Sequence, residues 1–155
     1  MLISALVATA FAAPLDADHF SVGVPLEVDL VGFAVGARPE LLWRPLDADG
    51  AAHLRLATGL MVGPELAFVP VSLTARGRWL TERAVHPILG FGVELQTFYS
   101  AGHPVVARYS WVTELGLDVD VAERWSVGLV VEPGFAPPPL FGLGAAVRLG
   151  VVYAL

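Results

Sequence analysis

The sequence predicts an all-β fold: a single antiparallel up-and-down transmembrane β-barrel of about eight strands. Three observations carry that expectation. The chain is too apolar for water, with 55% hydrophobic and only 15% charged residues, where a soluble domain carries about 25% charged residues. It is also too interrupted for a helical span. Its longest uncharged run beyond the N-terminus, Pro133 to Val147, holds four prolines and three glycines, and a spanning helix wants about 20 apolar residues without such breakers. Finally, apolar residues recur with period two almost throughout, which is the period of a strand with two unlike faces. Only helices and closed barrels satisfy the backbone in lipid, so a barrel resolves the conflict.

The first element is a leader. Met1 to Ala12 reads MLISALVATAFA, and Ala10-Phe11-Ala12 is a small-x-small site ahead of Ala13-Pro14-Leu15-Asp16. This resembles a secretory signal peptide cleaved after Ala12, which divides the chain into a leader over 1–12 and a barrel over 13–155. It carries no basic residue ahead of the apolar core.

The strands follow in order. Phe20, Val22, Val24, Leu26 and Val28 share one face against Ser21, Gly23, Pro25 and Glu27. The phase flips near Asp29–Gly32, and Phe33, Val35, Ala37, Pro39, Leu41 and Trp43 then oppose Ala34, Gly36, Arg38, Glu40 and Arg44. After the turn signal Pro45 to Gly50, Leu54 to Val62 alternates against Arg55, Ala57, Gly59 and Met61. Val69, Val71, Leu73, Ala75 and Trp79 oppose Ser72, Thr74, Arg76 and Arg78. Leu89, Phe91, Val93, Leu95 and Tyr99 form a fifth strand, and Val105 to Asp118 a sixth. Trp125 to Phe135 is the seventh, and Phe141 to Leu155 the eighth. The connections are short, so neighbouring strands run antiparallel.

The apolar face points outward. A lipocalin-like barrel would turn it inward, but the other face is rich in Gly, Ala and Ser with a few Arg and Glu. Such a face suits a narrow interior and makes a poor surface for water. The aromatics agree. If strand one starts at the periplasm, Phe20, Trp43, Trp79, Trp125 and Tyr153 fall at the periplasmic end, and Phe33, Tyr99, Tyr109, Phe135 and Phe141 at the other. Two aromatic girdles mark a membrane barrel. Phe68 and Phe98 are the exceptions, on the inward phase.

On these residues the chain resembles the small eight-stranded outer-membrane β-barrel family, of the OmpA/OmpX transmembrane type. Its end is similar to the family's C-terminal assembly signal: Val147, Leu149 and Val151 alternate ahead of Tyr153, and Leu155 stands where the family usually has Phe. The resemblance implies residence in a bacterial outer membrane as a monomer. The implied partners are outer-membrane lipid and lipopolysaccharide, with the barrel-assembly machinery during insertion.

The charges narrow the function. A net charge of −6 argues against nucleic acid. With no cysteine there are neither disulfides nor thiolate metal sites. All nine basic residues are Arg, whose planar fork suits confined ion pairs. The inward phase carries Glu27, Glu40, Glu94, Glu114, Asp118 and Glu132, with Arg38, Arg55, Arg76, Arg78, Arg108 and Arg148. Charges in a tight interior must be paired. The plain reading is a structural plug of ion pairs; sharper ones are a narrow polar path and a catalytic carboxylate pair. Arg148 is the last strand's one charge, and Glu27 and Glu132 on the flanking strands are its natural partners.

Other chemistry is sparse. His19, His53 and His86 fall at the periplasmic end on strands one, three and five. They are ligand types without being neighbours, and water-satisfied interfacial histidines explain them more simply. No cofactor or metal is assigned. Two enzyme families share the architecture, the lipid A palmitoyltransferases and the lipid A deacylases, and the deacylases resemble a Ser-His-acid hydrolase. Here only Ser100 and His103 begin such a site, and no acid lies near them in sequence. The expected function is therefore a non-enzymatic structural barrel serving envelope integrity or surface contact. A narrow solute channel is the alternative, and a lipid A-modifying enzyme comes third.

Overall fold

A computed structural model of the chain describes residues 19–44, 52–80, 82–137 and 142–155. The expected leader over 1–12 and the girdle residue Phe141 lie outside the described residues. All regular elements within them are β-strands. Prolines and a glycine divide the first three walls of the fold. β1 (Phe20–Gly23) and β2 (Leu26–Asp29) are one wall parted at Val24-Pro25, and β3 (Ala34–Ala37) and β4 (Glu40–Trp43) are one parted at Arg38-Pro39. β5 (Ala52–Thr58) and β6 (Leu60–Val62) part at Gly59. Proline gives no N–H to a ladder, and the strand pattern lapses at Pro25 and Pro39, whereas Pro70, Pro87 and Pro133 stand within continuous strands. The wall still holds, since Arg38 N donates to Pro25 O and Thr58 N to Pro39 O. Five unbroken strands complete the set: β7 (Ala67–Arg78), β8 (Val85–Tyr99), β9 (Val106–Ala122), β10 (Trp125–Ala136) and β11 (Gly142–Ala154).

Each wall pairs antiparallel with the next, and β11 returns to the first. Val22 lies opposite Tyr153 on β1, and Glu27 opposite Arg148 on β2. Eight walls thus close into a ring without a free edge. Close approach at the wall sets some residues. A Cβ on Gly92 would stand 2.1 Å from the Leu73 carbonyl oxygen on β7, so only glycine fits there.

The alternation read from sequence maps onto inside and outside. Leu56, Leu73, Leu95 and Leu129 are each about half exposed although apolar. They form a continuous outer surface that only lipid covers favourably. Phe20 faces Trp43, and the Trp125 and Tyr153 rings meet at 4.7 Å, all at the end where the described chain begins and ends. This is called the terminal end here. Phe33, Tyr99 and Phe135 lie toward the opposite, loop end. Phe68 and Phe98 turn inward, with ring centroids 5.2 Å apart, and pack with Ala34, Met61 and Leu66 into a small apolar core beneath the loops.

Candidate functional site

The middle of the lumen is filled by charge. Alternation turns every second side chain inward, and eight walls leave little width, so long polar side chains from opposite walls meet. Glu27, Arg38, Glu40, Arg55, Arg76, Glu94, Glu114, Asp118, Glu132 and Arg148 are all buried. Arg78 and Arg108, nearer the mouths, are partly exposed.

Two clusters make up the centre. Arg38 stands between three carboxylates. Its Nη1 donates to both oxygens of Glu27, at 3.0 and 2.9 Å, and lies 3.4 Å from Glu132 Oε1. Its Nη2 donates to Glu94 Oε2 at 2.6 Å and to Ser72 Oγ at 2.8 Å. The second cluster surrounds Glu114, which has no exposed side-chain surface. Arg55 Nη1 and Arg76 Nε each donate to it at 2.7 Å, Thr74 Oγ1 donates at 3.1 Å, and Arg148 Nη2 lies 3.3 Å away. Arg55 Nε also donates to Glu40 Oε2 at 2.5 Å. Glu132 joins the clusters, with Oε1 toward Arg38 and Oε2 3.1 Å from Arg148 Nη1.

These pairs cross the lumen. Arg55 on the third wall meets Glu114 on the sixth, and Arg38 on the second meets Glu94 on the fifth. Several atoms at the crossing lack an aligned hydrogen bond, namely Arg148 Nη1 and Nη2, Arg55 Nη2, Arg38 Nε and Glu132 Oε2. Of these, Arg148 Nη1, 3.1 Å from Glu132 Oε2, and Arg148 Nη2, 3.3 Å from Glu114 Oε1, are held by Coulomb attraction rather than by directed bonds. The sequence offers Glu27 and Glu132 as partners for Arg148 without choosing between them. Glu132 is in contact, but Glu27, though opposite Arg148 in the ladder, gives both its oxygens to Arg38. Glu114 and the more distant Glu40, at 3.9 Å, complete the setting of Arg148.

The mouths differ. At the loop end Arg108 Nη2 donates to Gln96 Oε1 at 2.8 Å, Gln96 donates to Glu94 at 2.7 Å, and the Arg108 guanidinium lies 5.3 Å above the Phe98 ring. At the terminal end Arg78 pairs with Asp120, and His86 Nε2 lies 2.8 Å from the same carboxylate. His86 Nδ1 faces the Leu80 carbonyl at 3.1 Å, while His53 lies opposite Arg76 in the β5–β7 ladder. Among the described residues no three acidic, histidine or cysteine side chains gather as a metal-ligand group. Ser100 Oγ donates to the Glu65 carbonyl at 3.2 Å, so its hydroxyl is engaged with backbone. Sequence reasoning missed Asp120, Ser72 and Thr74 as members of these clusters. The signal was available: all three continue the inward phase already traced through Arg76 and Asp118.

The closed eight-walled ring is an arrangement known in solved proteins. The N-terminal β-barrel domain of Pseudomonas aeruginosa OprF matches with a TM-score of 0.74 at 14% identity, over 86% of this chain and 95% of that one. The chain is an eight-stranded β-barrel of the outer-membrane type. The outer membrane protein OprG from Pseudomonas aeruginosa matches at 0.61 with 14% identity, over 86% of this chain and 94% of that one. The outer membrane enzyme PagL matches at 0.55 with 12% identity, over 87% and 99%. No family model matches the sequence. No curated protein matches it either. One architecture here holds an enzyme beside other outer-membrane barrels, so function must be argued from the site.

Proposed function

We propose that this outer-membrane barrel is a non-enzymatic structural protein, closed across its lumen by an ion-pair septum and serving envelope integrity. The observation that supports this reading most is the set of pairs bridging opposite walls, Arg55–Glu114 and Arg38–Glu94. Paired charges that tie the third wall to the sixth brace the ring and occupy the space a solute would need. The connections at the loop end, such as residues 63–66 and 100–105, are short and offer little receptor surface. In this reading the chain is exported with a cleaved leader over 1–12, inserted by the barrel-assembly machinery, and contacts lipid and lipopolysaccharide as a monomer. N-terminal sequencing of the exported protein is expected to begin at Ala13; a mature chain that keeps Met1 sinks the leader.

The functional test is a deletion strain. Loss of the protein should sensitise the envelope to detergent while the lipid A mass spectrum stays unchanged. A lipid A species that appears or vanishes with the protein would replace this reading with an enzymatic one. A narrow path for solutes is the second reading. Cavities of about 180 Å3 at the loop end and about 160 Å3 at the terminal end support it, the latter bordered by a void of about 10 Å3 beside Glu40 and Arg148.

A further inference from the structure

The His86 imidazole is a titratable side chain that the septum does not use. It stands near the start of β8, at the terminal end, and is wholly buried. Both of its nitrogens meet acceptors. Nε2 lies 2.8 Å from Asp120 Oδ2 on β9, and Nδ1 lies 3.1 Å from the Leu80 carbonyl oxygen between β7 and β8. An ionised carboxylate and a carbonyl give no proton, and a neutral imidazole has one N–H. The neutral ring can therefore donate to one of the two oxygens and must turn a lone pair on the other. Only the imidazolium serves both. A proton on Asp120 would also resolve the conflict, but Arg78 pairs with Asp120 Oδ1, which favours the ionised carboxylate.

The acceptor on the other side is under strain. Leu80 has φ +58°, a left-handed conformation that a bulky side chain rarely adopts. Arg83 N also donates to Leu80 O at 2.9 Å, and Asp120 N donates to Ala84 O at 2.8 Å. The charged groups around the ring come from three elements. Asp118 stands opposite His86 in the β8–β9 ladder, two residues from Asp120. Arg78 on β7 pairs with Asp120 and lies 3.9 Å from Asp118, while Arg76 gives its Nε to Glu114. Glu82 and Arg83, between β7 and β8, are exposed.

We propose that His86 is a proton-operated latch on the terminal mouth of the barrel. Charged, its ring ties the β7–β8 connection to β9 through Leu80 and Asp120. Deprotonated, it keeps one tie and loses the other, so either the strained Leu80 or Asp120 is released. Histidine is the side chain whose charge ordinarily changes between pH 5 and 8. The tie is therefore complete at the acid end of that range and is lost as pH rises through it. Asp120 lines the terminal-end cavity, so release alters the wall of that mouth. The latch does not depend on whether the septum conducts.

The test uses nuclear magnetic resonance on the full chain, isotope-labelled and refolded in detergent micelles without net charge. At pH 6 both ring nitrogens of His86 are expected to carry protons. The amides of Arg83 and Asp120 report on the two sides of the latch, since they donate to Leu80 O and Ala84 O. Losing a hydrogen bond to a charged group should cut their protection against hydrogen exchange, corrected for the intrinsic rate, by about tenfold between pH 6 and pH 9. Asp120→Asn separates the latch from general titration. Its amide can donate to a neutral Nε2 while its oxygen accepts from Arg78, so the neutral ring then serves Leu80 without conflict. That variant should keep both amides protected at pH 9. If it misfolds, the measurements on the unmodified chain decide. A bare ring nitrogen on His86 at pH 6 overturns the latch. So does equal protection of the parent at pH 6 and pH 9, or the parent's loss persisting in Asp120→Asn.

Discussion

Arg148 concentrates the energetics of the lumen in one residue. It is 2% exposed, the only charge on β11, and placed against Glu132 and Glu114. Removing one partner from a buried pair leaves an uncompensated charge, at a cost of about 3–5 kcal/mol. Arg148→Leu should therefore lower the urea midpoint of the barrel refolded in detergent or lipid by that order. Arg148→Lys keeps the charge, loses the fork and should cost less. An unchanged midpoint in Arg148→Leu would mean that water screens the pairs, and would favour the solute path. Gly92 makes a complementary case of steric rather than electrostatic origin. With the Leu73 carbonyl oxygen 2.1 Å from where a Cβ would be, Gly92→Ala must displace backbone. A loss of about 1–3 kcal/mol is expected in the same unfolding assay. These contacts show where sequence reading stops at this scale. Alternation says that Arg148 and Glu27 both point inward, and the ladder does set them opposite. Only the three-dimensional ring shows that Arg38 has already taken both Glu27 oxygens, because such contacts cross the lumen and have no fixed sequence spacing.

At the scale of the strand, a single rule carries most of the fold. Residues two apart share a face, so the inward charges and the outward Leu, Val and aromatic residues could be sorted before any register was known. The same rule predicts how the outer face responds to charge. Leu73 lies mid-strand on β7, between Leu56 and Val93 on its neighbours, and Val62 ends β6 toward the loops. Arginine on the lipid face costs about 2–4 kcal/mol at the midplane and about 0–1 near the interface. Leu73→Arg should therefore destabilise the barrel in lipid clearly more than Val62→Arg. Equal losses would mean that β7 is not lipid-facing at mid-depth. What the rule misses is interruption. Pro25, Pro39 and Gly59 divide the first three walls, yet carbonyl bonds such as Arg38 N to Pro25 O carry the pairing across. Pro25 is also buried against Gly150, whose Cβ would come within 2.6 Å of it. A proline in the middle of an alternating run reads as a weak strand. In a closed ring, flanking bonds and a facing glycine accommodate it.

The whole molecule follows from closure. Eight walls joined end to end leave no edge strand, so mild detergent has nowhere to begin unravelling the sheet. The refolded protein should migrate differently in gel electrophoresis before and after boiling, with a β-type circular dichroism spectrum before. Identical migration with a helical spectrum would contradict the fold. Closure also places the charged side chains where they span the lumen, and the proposed role depends on whether they seal it. Planar-bilayer recording asks that directly, using protein whose insertion is confirmed by its heat-dependent gel shift. The septum of Arg38, Arg55, Glu114, Glu132 and Arg148 predicts current at the level of the bare bilayer across the accessible voltage range. Discrete conductance steps from the unmodified chain would show an open lumen and contradict it.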